Sequence, residues 1–315
     1  MGAFFHAVRV FGDQLAAVRW QFIAIALGIH LARLALRAVA WREILRASYP
    51  NGRIRYSSVF GAYVAGVGIN SIIPARAGDV VKLYLIKHRI EASTYATLAP
   101  TLVAETLFDA FVAGGFIIWA LAIGALPTHQ VYSRLPAVDW GFLLEHFRWT
   151  EIGLAFLGAA VVIGVIVFVE KGGDTRARIM RGFAIIHKPR RAIIGVIFPQ
   201  ALSWVLRIAS LYYFLEAFHV PATIHNAMLA LVVDSLATLF PATPGGAGTK
   251  QGLIVFLFRK QEISKSLLLA FSVGVNIATV VFNLVLGSVA MLMMARTVSW
   301  RRLKAARAAE APESV

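Results

Sequence analysis

Asn70-Ser-Ile-Ile-Pro-Ala-Arg-Ala-Gly-Asp79 and Ala237-Thr-Leu-Phe-Pro-Ala-Thr-Pro-Gly-Gly-Ala-Gly248 are the two stretches on which the fold turns. Each interrupts a long apolar run, 59–87 in the first case and 227–258 in the second. Proline removes a backbone donor and glycine frees the chain, so a helix is predicted to break at each. Aligned on the break, the two share Pro-Ala and a later Gly in register. The match is short, but it lies where an internal repeat would show.

The surroundings of both breaks are lipid-like. Of the 315 residues, 59% are hydrophobic and 15% charged, and the mean hydropathy is +0.72; average soluble domains are roughly 25% charged. Apolar stretches at 20–41, 95–125, 149–169, 192–215 and 266–295 match the about 20 residues that cross a hydrocarbon layer. They are too long for membrane strands and lack period-2 alternation. The expected fold class is therefore an all-α polytopic membrane protein.

A net charge of +15 raises nucleic acid as a partner, and the distribution of charge argues against it. Lys and Arg cluster beside the apolar runs, at Arg42 to Arg55, Lys171 to Arg191 and Arg296 to Arg307. That is the positive-inside pattern of cytoplasmic loops, with no basic face on a soluble module. The absence of cysteine excludes disulfides, thiolate metal sites and cysteine nucleophiles. Arg9, Asp13 and Arg19 interrupt the first 19 residues, so a cleaved signal peptide is not expected. Phe4, Phe5, Val8, Phe11 and Leu15 share a face and suit a segment lying in the interface.

Charge also sets the topology. The basic loops 42–55 and 170–191 and the tail 296–315 are expected inside, whereas 216–226 and 127–148 are expected outside. Cations at Arg42 to Arg55 and at Lys82 to Arg89 flank the first break, so that segment leaves and returns on the cytoplasmic side, as a re-entrant hairpin over about 56–89. The second, over about 224–258, enters and returns from outside. One membrane domain over 1–315 results: an interfacial segment 1–19, a first unit 20–125, a linking span 149–169, an inverted second unit 192–295, and the basic tail. Inverted repeats with helices broken near the midplane are a recurring plan of secondary transporters. Two pairs of short spanning helices joined by tight turns are the alternative, and Arg259, Lys260 and Lys265 sit uneasily outside. The expected location is a prokaryotic plasma membrane.

Ionisable residues inside spans cost roughly 2.5–3.5 kcal/mol each and need a reason. His30, Arg33 and Arg37 share one helical face, as do Glu105 and Asp109. The two faces would neutralise each other as a structural network or serve a substrate, and both readings stay open. Arg207 lies deep in a later span. At the first break, Asn70, Pro74, Arg76, Gly78, Asp79 and Lys82 are candidates: arginine offers a phosphate two parallel hydrogen bonds, lysine adds a compact charge, and a half-helix starting near Gly78 aims free amides at an anion. The alternative there is that Asp79 caps the half-helix and pairs with Arg76. At the second break, Pro244, Gly245, Gly246 and Gly248 permit close backbone approach and Lys250 supplies charge. Asp234, Asn276 and Asn283 fit helix-to-helix hydrogen bonding. No nucleotide loop, histidine metal motif or cofactor fingerprint is present, so no cofactor or metal is expected.

Taken in order, Asn70 to Asp79 with Val-Val-Lys-Leu-Tyr84, Glu105-Thr-Leu-Phe-Asp109, and Pro241 to Gln251 resemble the flippase-like membrane proteins named for the transmembrane domain of lysylphosphatidylglycerol synthase. The resemblance covers nearly the whole chain. It implies two re-entrant elements and movement of phospholipids, aminoacylated phospholipids or polyprenyl-linked lipids between leaflets. Two positions depart from the family pattern. The family commonly has Glu-Arg-x-x-Asp where Glu105-Thr106 stands, and an acidic residue where Thr249-Lys250-Gln251 stands. Only the tail 296–315 follows the last span, so aminoacyl-transfer activity is not expected. The expected function is a non-enzymatic translocator of an anionic or polyprenyl-linked lipid. The alternative is a scaffold or regulator of a lipid-modifying enzyme, and the partners to consider are lipid, a second copy of the chain, or such an enzyme.

Overall fold

In a computed structural model, residues 17–73, 76–125, 173–239 and 248–309 are described. The expected interfacial segment up to residue 16, the 127–148 loop, the linking span 149–169, Pro74 and the Pro244-Gly-Gly246 turn lie outside them. The described residues form helices α1 (Trp20–Ser48), α2 (Tyr56–Asn70), α3 (Ala77–Lys87), α4 (Tyr95–Ala122), α5 (Gly173–Gly182), α6 (Pro189–Ala217), α7 (Ile224–Leu239), α8 (Thr249–Leu257) and α9 (Lys265–Ala309). No strand occurs among them.

Four of these helices are long and apolar enough to cross a membrane: α1, α4, α6, and the Lys265–Met294 part of α9. α1 continues through the basic segment expected as loop, to Ser48. Nothing before Pro50 breaks it, and the charges are held along its side: Arg42 Nε donates to the Ile54 carbonyl at 3.2 Å and Glu43 accepts from Arg191 at 2.8 Å. α6 opens with Pro189, whose missing N–H costs nothing at a helix start, and widens to a π turn at Ile193–Ile197 just before Pro199.

The broken segments behave differently. α2 has 15 residues and α3 has 11, which at 1.5 Å per residue is about 22 Å and about 16 Å, short of a hydrocarbon layer of about 30 Å. They fold back on each other. Asn70 Nδ2 donates to Asp79 at 3.4 Å, and a Cβ on Gly66 would lie 2.3 Å from the Lys82 chain. α7 and α8, with 16 and 9 residues, do the same, Asp234 meeting Lys250 at 2.9 Å and Gln261 donating to Asn226 at 2.7 Å.

α1 and α6 run antiparallel along their length. Arg19 N–H donates to the Ala217 carbonyl at 3.0 Å, Ser210 to that of Ala26 at 2.9 Å, and Arg191 to Glu43 at the far end. α2 lies on α9 rather than on α4, and a Cβ on Gly68 would stand 3.0 Å from the Gly287 Cα. α7 likewise lies on α4, with the Trp119 and His225 rings 5.6 Å apart. Three apolar clusters result among the described residues. One gathers Ile23, Phe214, Leu231, Phe258 and Phe271, a second gathers Leu34, Trp41, Tyr63, Ile86 and Met294, and a small third gathers Ala40, Ile44, Ile185 and Val196.

Hydrogen bonds fix which helix ends lie together. Both ends of the α2–α3 pair are at the end of the molecule marked by Ser48 and α5: the Tyr49 hydroxyl bonds Thr94 N–H at 3.4 Å, and Arg89 donates to the Met294 carbonyl at 2.7 Å. Both ends of the α7–α8 pair are at the other end, where Lys260 Nζ donates to the Gly124 carbonyl after α4 at 2.9 Å.

Candidate functional site

Midway along α1, between the two folded-back pairs, lies a cavity of about 290 Å3 lined by side chains of α1, α2, α3, α4, α8 and α9. Arg33, Arg37, Arg76, Lys82 and Lys250 face it with Asp79 and Glu105, and Tyr63, Asn70, Ser71 and Asn276 add polar groups. A larger cleft, about 730 Å3, opens at the α5 end between Arg53, Arg89, Arg178 and Arg181; it lies at helix ends, away from the breaks.

Four charge clusters make up the site. In the first, Arg37 binds both carboxylates of α4: Nη1 reaches Asp109 at 2.7 Å, Nη2 reaches Glu105 at 2.5 Å and also Asp109, and Nε donates to the Tyr63 hydroxyl. Tyr63 donates to Glu105 at 3.0 Å and Trp204 Nε1 to Asp109 at 3.0 Å. Glu105 is only 1% exposed, so this fork is the group that lets a carboxylate remain there.

The second cluster sits at the first break. Asp79 pairs with Arg76 at 3.0 Å and with Lys82 at 3.1 Å. Lys82 is buried with its ammonium 4.2 Å from the Tyr63 ring centre, a cation–π position, whereas the Arg76 side chain is 62% exposed. The start of α3 is capped from α2: Asn70 Oδ1 accepts from Gly78 N–H at 2.7 Å. Asp79 makes no side-chain cap and serves as the pivot of two cations. Arg76 itself adopts a left-handed conformation, φ 59°.

In the third cluster, Asp234 of α7 holds Lys250 of α8 at 2.9 Å and Arg207 of α6 at 3.4 Å. Gly248, with φ 84°, precedes α8, and its N–H donates to Gln251 Oε1 at 2.6 Å. The fourth is Arg33 alone. Its Nε is buried without a hydrogen-bond partner, and none of the ion pairs among the described residues includes Arg33. His30, one turn away, is engaged elsewhere, with Asn283 Oδ1 at 2.9 Å, and Asn283 passes the connection to Ser71 at 3.2 Å.

Of the residues singled out from the sequence, Asn70, Arg76, Asp79, Lys82, Glu105 and Lys250 line the one cavity. Gly78, Asp109 and Arg207 support its walls, Gly248 starts a wall helix, and Pro74, Pro244, Gly245 and Gly246 lie outside the described residues. Arg33 and Arg37 read from the sequence as a charged face open to either a structural network or a substrate, Asp234 reads as helix-to-helix hydrogen bonding, and Tyr63 is not singled out. The helical spacing of charges foretells the meeting of Arg37 with Glu105 and Asp109, but not that Arg33 is left out of it, nor that Tyr63 joins it.

Residues 2–287 match the family described as the lysylphosphatidylglycerol synthase TM region. A UPF0104 membrane protein of Methanothermobacter thermautotrophicus is 24% identical over 323 aligned positions, covering 90% of this chain and 87% of that one. A UPF0104 membrane protein of Methanocaldococcus jannaschii is 22% identical over 203, covering 63% and 82%. Glycosyltransferase AglD of Haloferax volcanii is 33% identical over 122, which is 38% of this chain and 19% of that protein. No solved structure matches. A match this long, on a chain whose apolar helices and broken segments fit a membrane protein, makes this chain a member of the lysylphosphatidylglycerol synthase transmembrane-region family.

Proposed function

We propose that the protein moves a lipid with an anionic headgroup, a phospholipid or a polyprenyl-linked lipid, between the leaflets of a cell's plasma membrane. The observation that carries this reading is the cation-lined cavity of about 290 Å3 set among the broken helices. In this reading the α2–α3 and α7–α8 pairs are re-entrant hairpins of two inverted units. Their short arms, the antiparallel α1–α6 contact, and the crossed pairing of α2 with α9 and α7 with α4 support it. The end bearing Arg42, Arg46, Arg53, Arg178 and Arg191 is cytoplasmic by its cations.

The headgroup enters the cavity while the acyl or prenyl chains stay in lipid, and the cavity opens to one leaflet at a time. Arg76, Lys82 and Lys250 bind the phosphate, and Glu105 and Asp109 hold Arg37. No bond is made or broken, so the protein is read as a transporter and not an enzyme. The test is reconstitution in vesicles carrying a fluorescent phosphatidylglycerol or phosphatidic acid. Protein-containing vesicles are expected to lose their inner-leaflet fluorescence to an external quencher. Protection equal to that of protein-free vesicles for every anionic lipid defeats the proposal.

The match to glycosyltransferase AglD favours a second reading, a membrane module that serves a separate lipid-modifying enzyme. Lys250→Ala separates the two, because transport requires the charge and scaffolding does not.

A further inference from the structure

The cavity and its walls hold more positive charge than they neutralise. Asp79 is shared by Arg76 and Lys82, and Asp234 by Arg207 and Lys250, so each of these two clusters is one charge positive. The Arg37 cluster, with Glu105 and Asp109, is one charge negative. Arg33 adds one more positive charge, unpaired. Six cations against four carboxylates leave an excess of two among the described residues. The two break segments outside them, 74–75 and 240–247, contain no ionisable residue to cancel it. The Arg33 Nε is a buried donor left unsatisfied, at a cost of about 1–3 kcal/mol, and Arg33 lines the cavity itself.

We infer that the site takes a doubly charged phosphate group, a phosphomonoester or a diphosphate, in preference to the singly charged phosphodiester of ordinary phospholipids, and that Arg33 is the side chain that reads the second charge. This deepens the proposed transport and rests on it for the route of entry, but the binding preference stands apart from movement. A phosphodiester leaves one of the two excess charges uncompensated. A phosphomonoester, ionised twice above its second pKa of about 6, meets both. Arg33 on α1 and Lys250 on α8 then hold it from opposite walls, with Lys82 and Arg76 at the α3 side. A charge-assisted hydrogen bond contributes about 1.5–3 kcal/mol, which is on the order of 10- to 100-fold in affinity.

The experiment uses the purified full chain in detergent at pH 8 and low salt, titrated with short-chain phosphatidic acid and phosphatidylglycerol. Phosphatidic acid is expected to bind at least about tenfold more tightly, by that same charge-assisted bond. Equal affinities for the two lipids overturn the inference in the unaltered protein, with no variant needed. Arg33→Gln is expected to level the two affinities and Arg33→Lys to keep most of the preference; a preference undiminished in Arg33→Gln overturns the role of Arg33. Inorganic phosphate is the third arm. Displacement of phosphatidic acid by phosphate at similar concentration assigns the site to a free doubly charged phosphate, and resistance to it assigns the site to a lipid. Selective binding without flipping leaves this inference standing and removes the transport reading; flipping with no selectivity does the reverse.

Discussion

At Arg37 a single guanidinium holds two carboxylates, and its removal strands both. Arg37→Gln is therefore expected to destabilise the protein by about 3–5 kcal/mol, the cost of leaving a buried charge unpaired. Arg37→Lys keeps the charge but loses the planar fork, and falls between; denaturant unfolding in detergent measures both. Arg76 makes a different prediction. Its left-handed backbone, φ 59°, costs a side chain roughly 1–2 kcal/mol that glycine does not incur. Because that side chain is 62% exposed, its pairing with Asp79 contributes little to stability. Arg76→Gly should then be more stable than Arg76→Ala by about 1 kcal/mol, although both lose the same charge.

Helix pairs bring in a second kind of constraint, how close two backbones come. A Cβ on Gly78 would lie 1.9 Å from the Gly66 carbonyl oxygen, so Gly78→Ala must push α3 off α2. Overpacking of this kind costs about 1–3 kcal/mol or more, read as a lowered unfolding midpoint. Gly114 of α4 has nothing within 4 Å of the same position, and Gly114→Ala should leave that midpoint unchanged or raise it by up to about 1 kcal/mol. The breaks themselves were legible in the sequence, because Pro74 and Gly78 punctuate an apolar run by local chemistry. So was the Arg76, Asp79, Lys82 cluster, since residues three apart share a helix face. The fate of Arg33 was not. Arg33 and Arg37 have the same spacing signal, and only the contact of α4 with α1 decides that Arg37 takes both carboxylates and Arg33 none. Asp234 reads as helix glue until α8 brings Lys250 against it. The end of α1 was misplaced for a related reason: Arg42 and Arg46 suggest a loop by charge, while Glu43, Ile54 and Arg191 give the extra turns their partners.

On the scale of the molecule, the two hairpins make opposite predictions about access. The absence of cysteine allows single replacements at Ser57 and His88, and at Thr223 and Glu262, all exposed. An impermeant thiol reagent added to intact cells should label the second pair and spare the first; labelling of one member only of either pair shows that its segment crosses. The crossed arms also impose an order in time. α2 is made and inserted early, yet the face bearing Gly68 has its partner at Gly287, and His30 has its partner at Asn283. A nascent chain thus carries an uncovered glycine face through synthesis of everything between them, and contacts so distant in sequence form slowly. Both helix pairs wait for α9, the first for longest, so completion of α9 is the step at which a newly made chain becomes a closed protein.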